Sequence, residues 1–332
     1  MSLIASGGFG CVYKPAYKCT NYTNATTREV SKVFKKPDEL KKEEARYATM
    51  KLQLIPNSAE YYIANPQRCV VRSESYTKDT EACEDFHPSG ATFDTLNYLY
   101  GGQSLAAILE KQPELIDCSL LAALGNVFTG VAKMNAQRKY HMDIKPQNIV
   151  FDGRKFRLID FGLSKNLTVD GPENAMYRNS TYAYWPVELT YVNYGSRKDA
   201  TKTAQLLQAH VSLYMRLVFE KLEGYVKVPL AAEAQKELHT YFTPLTTAEI
   251  YAKVDTWALC FTLIDIHRAM ADNNPSAQAL LKFIRSNMIL KTKERPAADV
   301  LAERYTKTFQ AQACGIPRRP LAQLTRTSSM NF

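Results

Sequence analysis

His141-Met142-Asp143-Ile144-Lys145-Pro146-Gln147-Asn148, followed by Asp160-Phe161-Gly162, decides how the rest of this chain is read. Asp143 can accept a hydroxyl proton, Asn148 offers a metal-binding oxygen, and Asp160 offers a second metal-binding group. Phosphoryl transfer needs that set: a group that orients the nucleophile, and ligands for a cation that bridges phosphates. Between the two motifs lie Ile149-Val150-Phe151, Asp152-Gly153 and Phe156-Arg157-Leu158-Ile159. Two short apolar runs around an Asp-Gly turn predict a hairpin, which returns Asp160 toward the end of the hairpin that carries Asn148. A buried hairpin with solvated carboxylates would explain either motif alone, but not eight ordered positions with the second motif at hairpin distance.

This pair of motifs resembles the catalytic loop and Asp-Phe-Gly motif of eukaryotic-type serine/threonine protein kinases. The resemblance implies an α+β, bilobal protein kinase fold, with a small β-rich N-lobe holding one main helix and a larger, mainly helical C-lobe. It places the N-lobe at residues 1–100, the C-lobe at 101–313 and a flexible basic tail at 314–332. It also implies ATP and Mg²⁺, with Mn²⁺ as a substitute, and protein substrates bearing Ser or Thr. Lys145 matches the serine/threonine branch, where the lysine steadies the γ-phosphate.

Near the start, Ile4-Ala5-Ser6-Gly7-Gly8-Phe9-Gly10-Cys11-Val12 reads as a glycine-rich turn between strands, able to bring backbone N–H groups close to phosphates. Against the family's pattern, Ala5 stands at the first glycine, Gly7 and Gly10 fill the others, Gly8 lies between them, and Val12 falls over the adenine. Few residues precede Ala5, so the first strand is either minimal or begins upstream of Met1. Glu29-Val30-Ser31-Lys32-Val33-Phe34 alternates like a strand and resembles the one that carries the phosphate-binding lysine, here Lys32. A helix over about Asp38–Leu54 follows. Glu43 shares its apolar stripe with Tyr47, Met50 and Leu54 and is favoured as the partner of Lys32, with Glu44 one residue away as the alternative. Counting back from Gly101-Gly102 puts Leu96 behind the adenine, with Asn97 and Leu99 presenting backbone groups to its edge.

Ser119–Ala136 has apolar residues at helical spacing and reads as a core helix. Met142 replaces the arginine that in the family receives an activation-segment phosphate. The resemblance therefore implies activity that does not need such phosphorylation. Thr181 aligns with the threonine that bonds the catalytic loop, and Pro186-Val187-Glu188 with Ala-Pro-Glu. The Tyr184-Trp185-Pro186 ending and Cys19 resemble kinases encoded by large DNA viruses. Glu188 needs a buried cation, and Arg295 is the candidate. Asp255, in Val254-Asp255-Thr256-Trp257, is expected to brace the catalytic-loop backbone. The long stretch from Glu188 to Asp255 implies an insertion at about 195–245, with a helix near Ala200–Leu222.

The chain of 332 residues is 45% hydrophobic and 23% charged, a composition of soluble globular proteins. Its net charge of +9 is spread without a basic face or aromatic-interleaved stripe, so attraction for anions is expected and a nucleic-acid partner is not. No apolar run reaches the roughly 18 residues of a membrane span. Seven scattered cysteines with no zinc spacing predict reduced thiols and a cytoplasmic setting, in a host cytoplasm or virion if the viral likeness holds. Two other readings stand beside an active protein kinase. Ala5, Met142 and the short start suit a catalytically weak pseudokinase that binds nucleotide and partners. A small-molecule kinase of similar fold is the other.

Overall fold

The computed structural model describes residues 1–76, 83–84, 86–170, 182–186, 188–189, 218, 220–226, 246–271 and 273–309. The Thr181 assignment, the basic tail and most of the insertion lie outside these residues. The chain forms two compact units, one of Met1–Gly102 with Ile159–Gly162, the other of Gln103–Leu158 and the chain from Leu163 onward.

In the first unit β1 (Ser2–Ser6), β2 (Gly10–Lys14), β3 (Glu29–Phe34), β4 (Gln67–Arg72) and β5 (Thr92–Leu99) form one sheet in the order β1-β2-β3-β5-β4, antiparallel throughout. Alternation sends successive side chains to opposite faces. Lys32 pairs with Leu96 and Val30 with Tyr98, so these share a face with Phe34, and Phe34, Leu40, Leu96 and Tyr98 pack together. Ser31 and Val33 point the other way, where Val33 joins Tyr13, Tyr17, Val71 and four cysteines in a second core. With both faces covered, β3 is a central strand and reads as nearly continuous burial. Helix α1 (Pro37–Met50) begins with Pro37 in its first turn and acidic Asp38 and Glu39 beside its positive end. It stops at Lys51, whose left-handed backbone (φ 46°) turns the chain. Leu54 therefore leaves the stripe expected of it and is 66% exposed, whereas Leu40, Glu43, Tyr47 and Met50 are buried. A helical turn, α2 (Ser58–Tyr61), follows.

The cysteines correct the reduced-thiol reading. Cys11 is bonded to Cys83 and Cys19 to Cys69, with Cα separations of 5.8 and 5.1 Å. Partners 72 and 50 residues apart have no local spacing signal; sheet register and the loops around it bring them together. Cysteine usage consequently gives no argument for a reducing compartment.

The second unit is mainly helical. Asp117 caps α4 (Cys118–Ala136) by accepting from the Leu120 N–H at 2.8 Å, and every apolar position expected of this helix, from Leu120 to Met134, is buried. It follows α3 (Leu105–Lys111) and packs on α7 (Ala298–Thr308), where Phe128 stacks on Tyr305 at 3.9 Å. Helix α5 (Thr247–Ala269) opens with a capping box between Thr246 and Glu249, and α6 is Ala277–Asn287. The expected hairpin forms from β8 (Ile149–Phe151) and β9 (Phe156–Leu158), with Ile149 opposite Leu158 and the short β6 (Gln103–Ser104) alongside. Strands β7 (Lys139–Tyr140) and β10 (Lys165–Asn166) pair beside it. In the described part of the insertion, Gly224 O accepts from Arg285 Nε and Nη2. Among the described residues, no helix is long and apolar enough to cross a membrane.

Peptide mapping without reductant should recover Cys11 linked to Cys83 and Cys19 linked to Cys69. In the chain-entropy account, loops of this length are worth about 4 kcal/mol each, so a reductant should lower the thermal midpoint by several degrees. Free thiols at these four positions, with an unchanged midpoint, would refute the pairing.

Candidate active site

In the first unit the β-ladder builds a row. Ala5 lies opposite Val12, Val12 opposite Lys32, and Lys32 opposite Leu96. Gly7 N–H donates to Gly10 O at 2.9 Å, closing the turn that carries Gly8. Gly10 is required by packing: a Cβ there would sit 2.1 Å from Val33 O. Lys32 Nζ lies 2.6 Å from Glu43 Oε2 and 3.3 Å from Asp160 Oδ1. Helical phase settles the choice left open by the sequence, since Glu43 turns to Lys32 while Glu44 reaches Arg68 at 3.3 Å.

One ammonium thus faces two carboxylates. Burial works to lower the Lys32 pKa, but Asp160 and Glu43 outweigh it and the net shift is upward. Glu43 is also pushed up, first by burial and further by Asp160, against the pull of Lys32. Tyr98 donates its hydroxyl to Glu43 Oε1 at 2.5 Å, so both oxygens of this carboxylate are engaged. Tyr47 lies edge-on to Phe161 at 5.8 Å, and the Phe161 N–H donates to its hydroxyl at 3.4 Å.

The expected adenine-side residues are dispersed by strand alternation. Leu96 is fully buried beside Phe34 and Leu40. Asn97 turns to the opposite face and accepts from Ser31 Oγ at 2.6 Å, while Leu99 is 53% exposed at the strand end. Tyr98 escaped the sequence reading, although its two-residue spacing from Leu96 placed it on the face of Lys32.

In the second unit Asp255 accepts the N–H groups of His141 (2.8 Å) and Met142 (2.9 Å), one on each oxygen. Burial pushes its pKa up to about 6 against those two bonds. They hold the loop while Met142 takes a left-handed backbone (φ 66°), and the indole of Trp185 donates to Met142 O at 2.6 Å. The Met142 side chain is buried among Tyr140, Leu167, Trp185 and Leu189. Asp143 is buried as well, at 6% exposure. Lys145 Nζ reaches both its oxygens, at 3.1 and 2.9 Å. Asn148 Nδ2 donates to its backbone O (2.9 Å) and to Oδ2 (2.8 Å). Tyr182, which no spacing rule singled out, donates its hydroxyl to Oδ1 at 2.8 Å.

With both amide hydrogens directed at Asp143, Asn148 has its carbonyl oxygen as the group to offer a cation. In the first unit, separately, the Asp160 carboxylate is 39% exposed. Hard oxygen donors of this kind fit Mg²⁺. Arg295 meets Glu188 at 2.5 Å with both side chains 1% exposed, and its guanidinium lies 4.8 Å from the Trp257 ring centroid. Trp257 in turn donates to Ala183 O at 2.9 Å, which ties this pair to the segment carrying Tyr182.

The family model described as a protein kinase domain matches residues 1–305. Over 127 residues, 37% of this chain, the sequence is 24% identical to "Myosin light chain kinase, smooth muscle" of Gallus gallus. The chain spans only 7% of that relative's length.

Replacing Arg295 by methionine leaves the Glu188 carboxylate buried without its cation. Loss of one partner of a buried pair costs about 3–5 kcal/mol, so the urea midpoint of Arg295→Met should fall accordingly. A midpoint equal to that of wild type would show that the pair does not anchor this unit.

Proposed function

The chain belongs to the protein kinase domain family, and we propose that it transfers the γ-phosphate of ATP to Ser and Thr hydroxyls of protein substrates. The observation that carries this reading is the occupancy of Asp143, buried with Lys145 and Asn148 bonded to its carboxylate. In this reading residues 1–100 act as the nucleotide-binding N-lobe and residues 101–313 as the C-lobe. Lys32, steadied by Glu43, binds the α- and β-phosphates. The glycine turn at Gly7, Gly8 and Gly10, begun by Ala5, covers the phosphates, Val12 and Leu96 flank the adenine, and Asn97 and Leu99 offer backbone groups to its edge. Asn148 and Asp160 would each offer an oxygen to Mg²⁺, which when bound would neutralise charge on the phosphates. Asp143 orients the acceptor hydroxyl and takes its proton, and Lys145 stabilises charge on the transferred group.

The departures that suggested a pseudokinase are absorbed structurally. Ala5 is a paired strand residue, where a side chain is at home. Met142 exchanges a phosphate-binding arginine for apolar contacts, and Trp185 holds the same loop by its indole. This supports activity without activation-segment phosphorylation. The likeness to kinases of large DNA viruses remains part of the proposal through that same Tyr184-Trp185-Pro186 ending.

Asp143→Asn and Lys32→Met should each lower transfer of labelled phosphate to a Ser/Thr peptide by about 10²–10⁴-fold or more, while each variant remains folded by circular dichroism. Wild-type turnover in Asp143→Asn would remove the assignment. Exhaustive phosphatase treatment, followed by removal of the phosphatase, should leave the transfer rate unchanged; loss of activity restored by rephosphorylation would contradict the role given to Met142.

A further inference from the structure

A carboxylate offers about four lone-pair sites, and among the described residues four contacts fall on those of Asp143. Lys145 Nζ bonds both oxygens, Asn148 Nδ2 bonds Oδ2, and the Tyr182 hydroxyl bonds Oδ1 at 2.8 Å. A hydroxyl activated by this carboxylate must itself come within about 2.6–3.2 Å of it. One of the three donors has to give way. Lys145 supplies the cation beside a buried anion, and its departure leaves the charge uncompensated. Asn148 also holds the Asp143 backbone oxygen, so moving it dismantles the loop. Tyr182 alone makes an O–H···O⁻ bond of the kind a substrate hydroxyl makes, and exchange of one hydroxyl for another keeps the carboxylate satisfied.

The position of Tyr182 is built from several sides. Its ring meets Trp185 edge-on at 5.2 Å and Tyr184 at 5.3 Å, and Lys145 Nζ lies 5.7 Å from its centroid. Tyr184 is anchored by its own hydroxyl, which donates to Asp265 Oδ2 at 2.5 Å. Trp185 is anchored to the Met142 carbonyl.

We propose that the Tyr182 hydroxyl occupies the acceptor-hydroxyl subsite on Asp143 Oδ1, as an internal stand-in that an incoming substrate hydroxyl displaces. The proposal rests on the phosphotransfer reading above and adds the resident competitor of that site. No covalent bond changes in the exchange; one hydrogen bond replaces another.

Tyr182→Phe keeps the ring and its packing and removes only the hydroxyl. Relief of one hydrogen bond should raise kcat/KM for a Ser/Thr peptide about three- to tenfold. The gain should appear in the KM for peptide, with the KM for ATP unmoved. A fall in kcat/KM would show that Tyr182 holds Asp143 for catalysis, and an unchanged value that it does not compete; either overturns the proposal. A second measurement needs no turnover: thermal midpoints of Tyr182→Phe, Asp143→Ala and the double variant. Non-additivity supports the contact, and additivity rejects it. An inactive wild type with a non-additive cycle would sink the phosphotransfer reading and leave the contact standing. An active wild type with unchanged kcat/KM in Tyr182→Phe would do the reverse.

Discussion

A charge removed from water must meet an opposite charge or several hydrogen bonds, and the functional residues of this chain are arranged by that requirement. Lys32, 12% exposed, is held by Glu43, 7% exposed, and by Asp160. Neither Lys32 nor Glu43 could sit there alone, because the desolvation of a single ion amounts to several kcal/mol even after relaxation. Among the described residues Asp255 meets no cation; its two oxygens accept from two backbone N–H groups. Burial still moves its pKa to about 6, so those bonds offset only part of the cost. Stability spent on Asp255 returns as a fixed backbone at His141 and Met142, from which Asp143 projects. Glu188 and Arg295 apply the same rule to the segment that follows.

What the sequence made legible follows from whether a signal is local. The residues of the candidate catalytic loop are consecutive, and the Asp-Gly hairpin that follows them forms as expected, so residue type and spacing suffice to propose them. The core helix from Leu120 to Met134 is equally plain because seven apolar positions repeat at one period. Glu43 against Glu44 was a question of helical phase. A stripe running to Leu54 gave the right face but the wrong end, since the left-handed Lys51 is a single-residue event with no periodicity. Tyr98 and Tyr182 were missed for different reasons. Tyr98 was hidden by counting along the chain from Gly101, when parity within β5 was the relevant measure. Tyr182 has no spacing relation to Asp143 at all; its contact exists only once the segment has folded back.

The disulfides illustrate the limit more sharply. Cys11 and Cys69 lie on strands of one sheet, while Cys19 and Cys83 lie on loops, and the bonded partners are 72 and 50 residues apart. Pairing of this kind is a property of tertiary contact, and the absence of a close pair in the sequence carried no information about it. The reduced-thiol expectation failed because it treated linear spacing as a proxy for distance.

Strand β3 brings these threads together. Its odd-numbered residues, Ser31 and Val33, face the aromatic and disulfide core, and its even-numbered residues, Val30, Lys32 and Phe34, face α1. A one-residue slip would move Lys32 into the aromatic core and Val33 toward Glu43, leaving one charge unpaired in each place. Burial on both faces makes that slip costly twice over. The disulfides at Cys11, on the neighbouring strand β2, and at Cys69, on β4, lie on the side of the sheet away from Lys32. They can therefore tie the sheet to its loops without occupying the face on which the charged row is built.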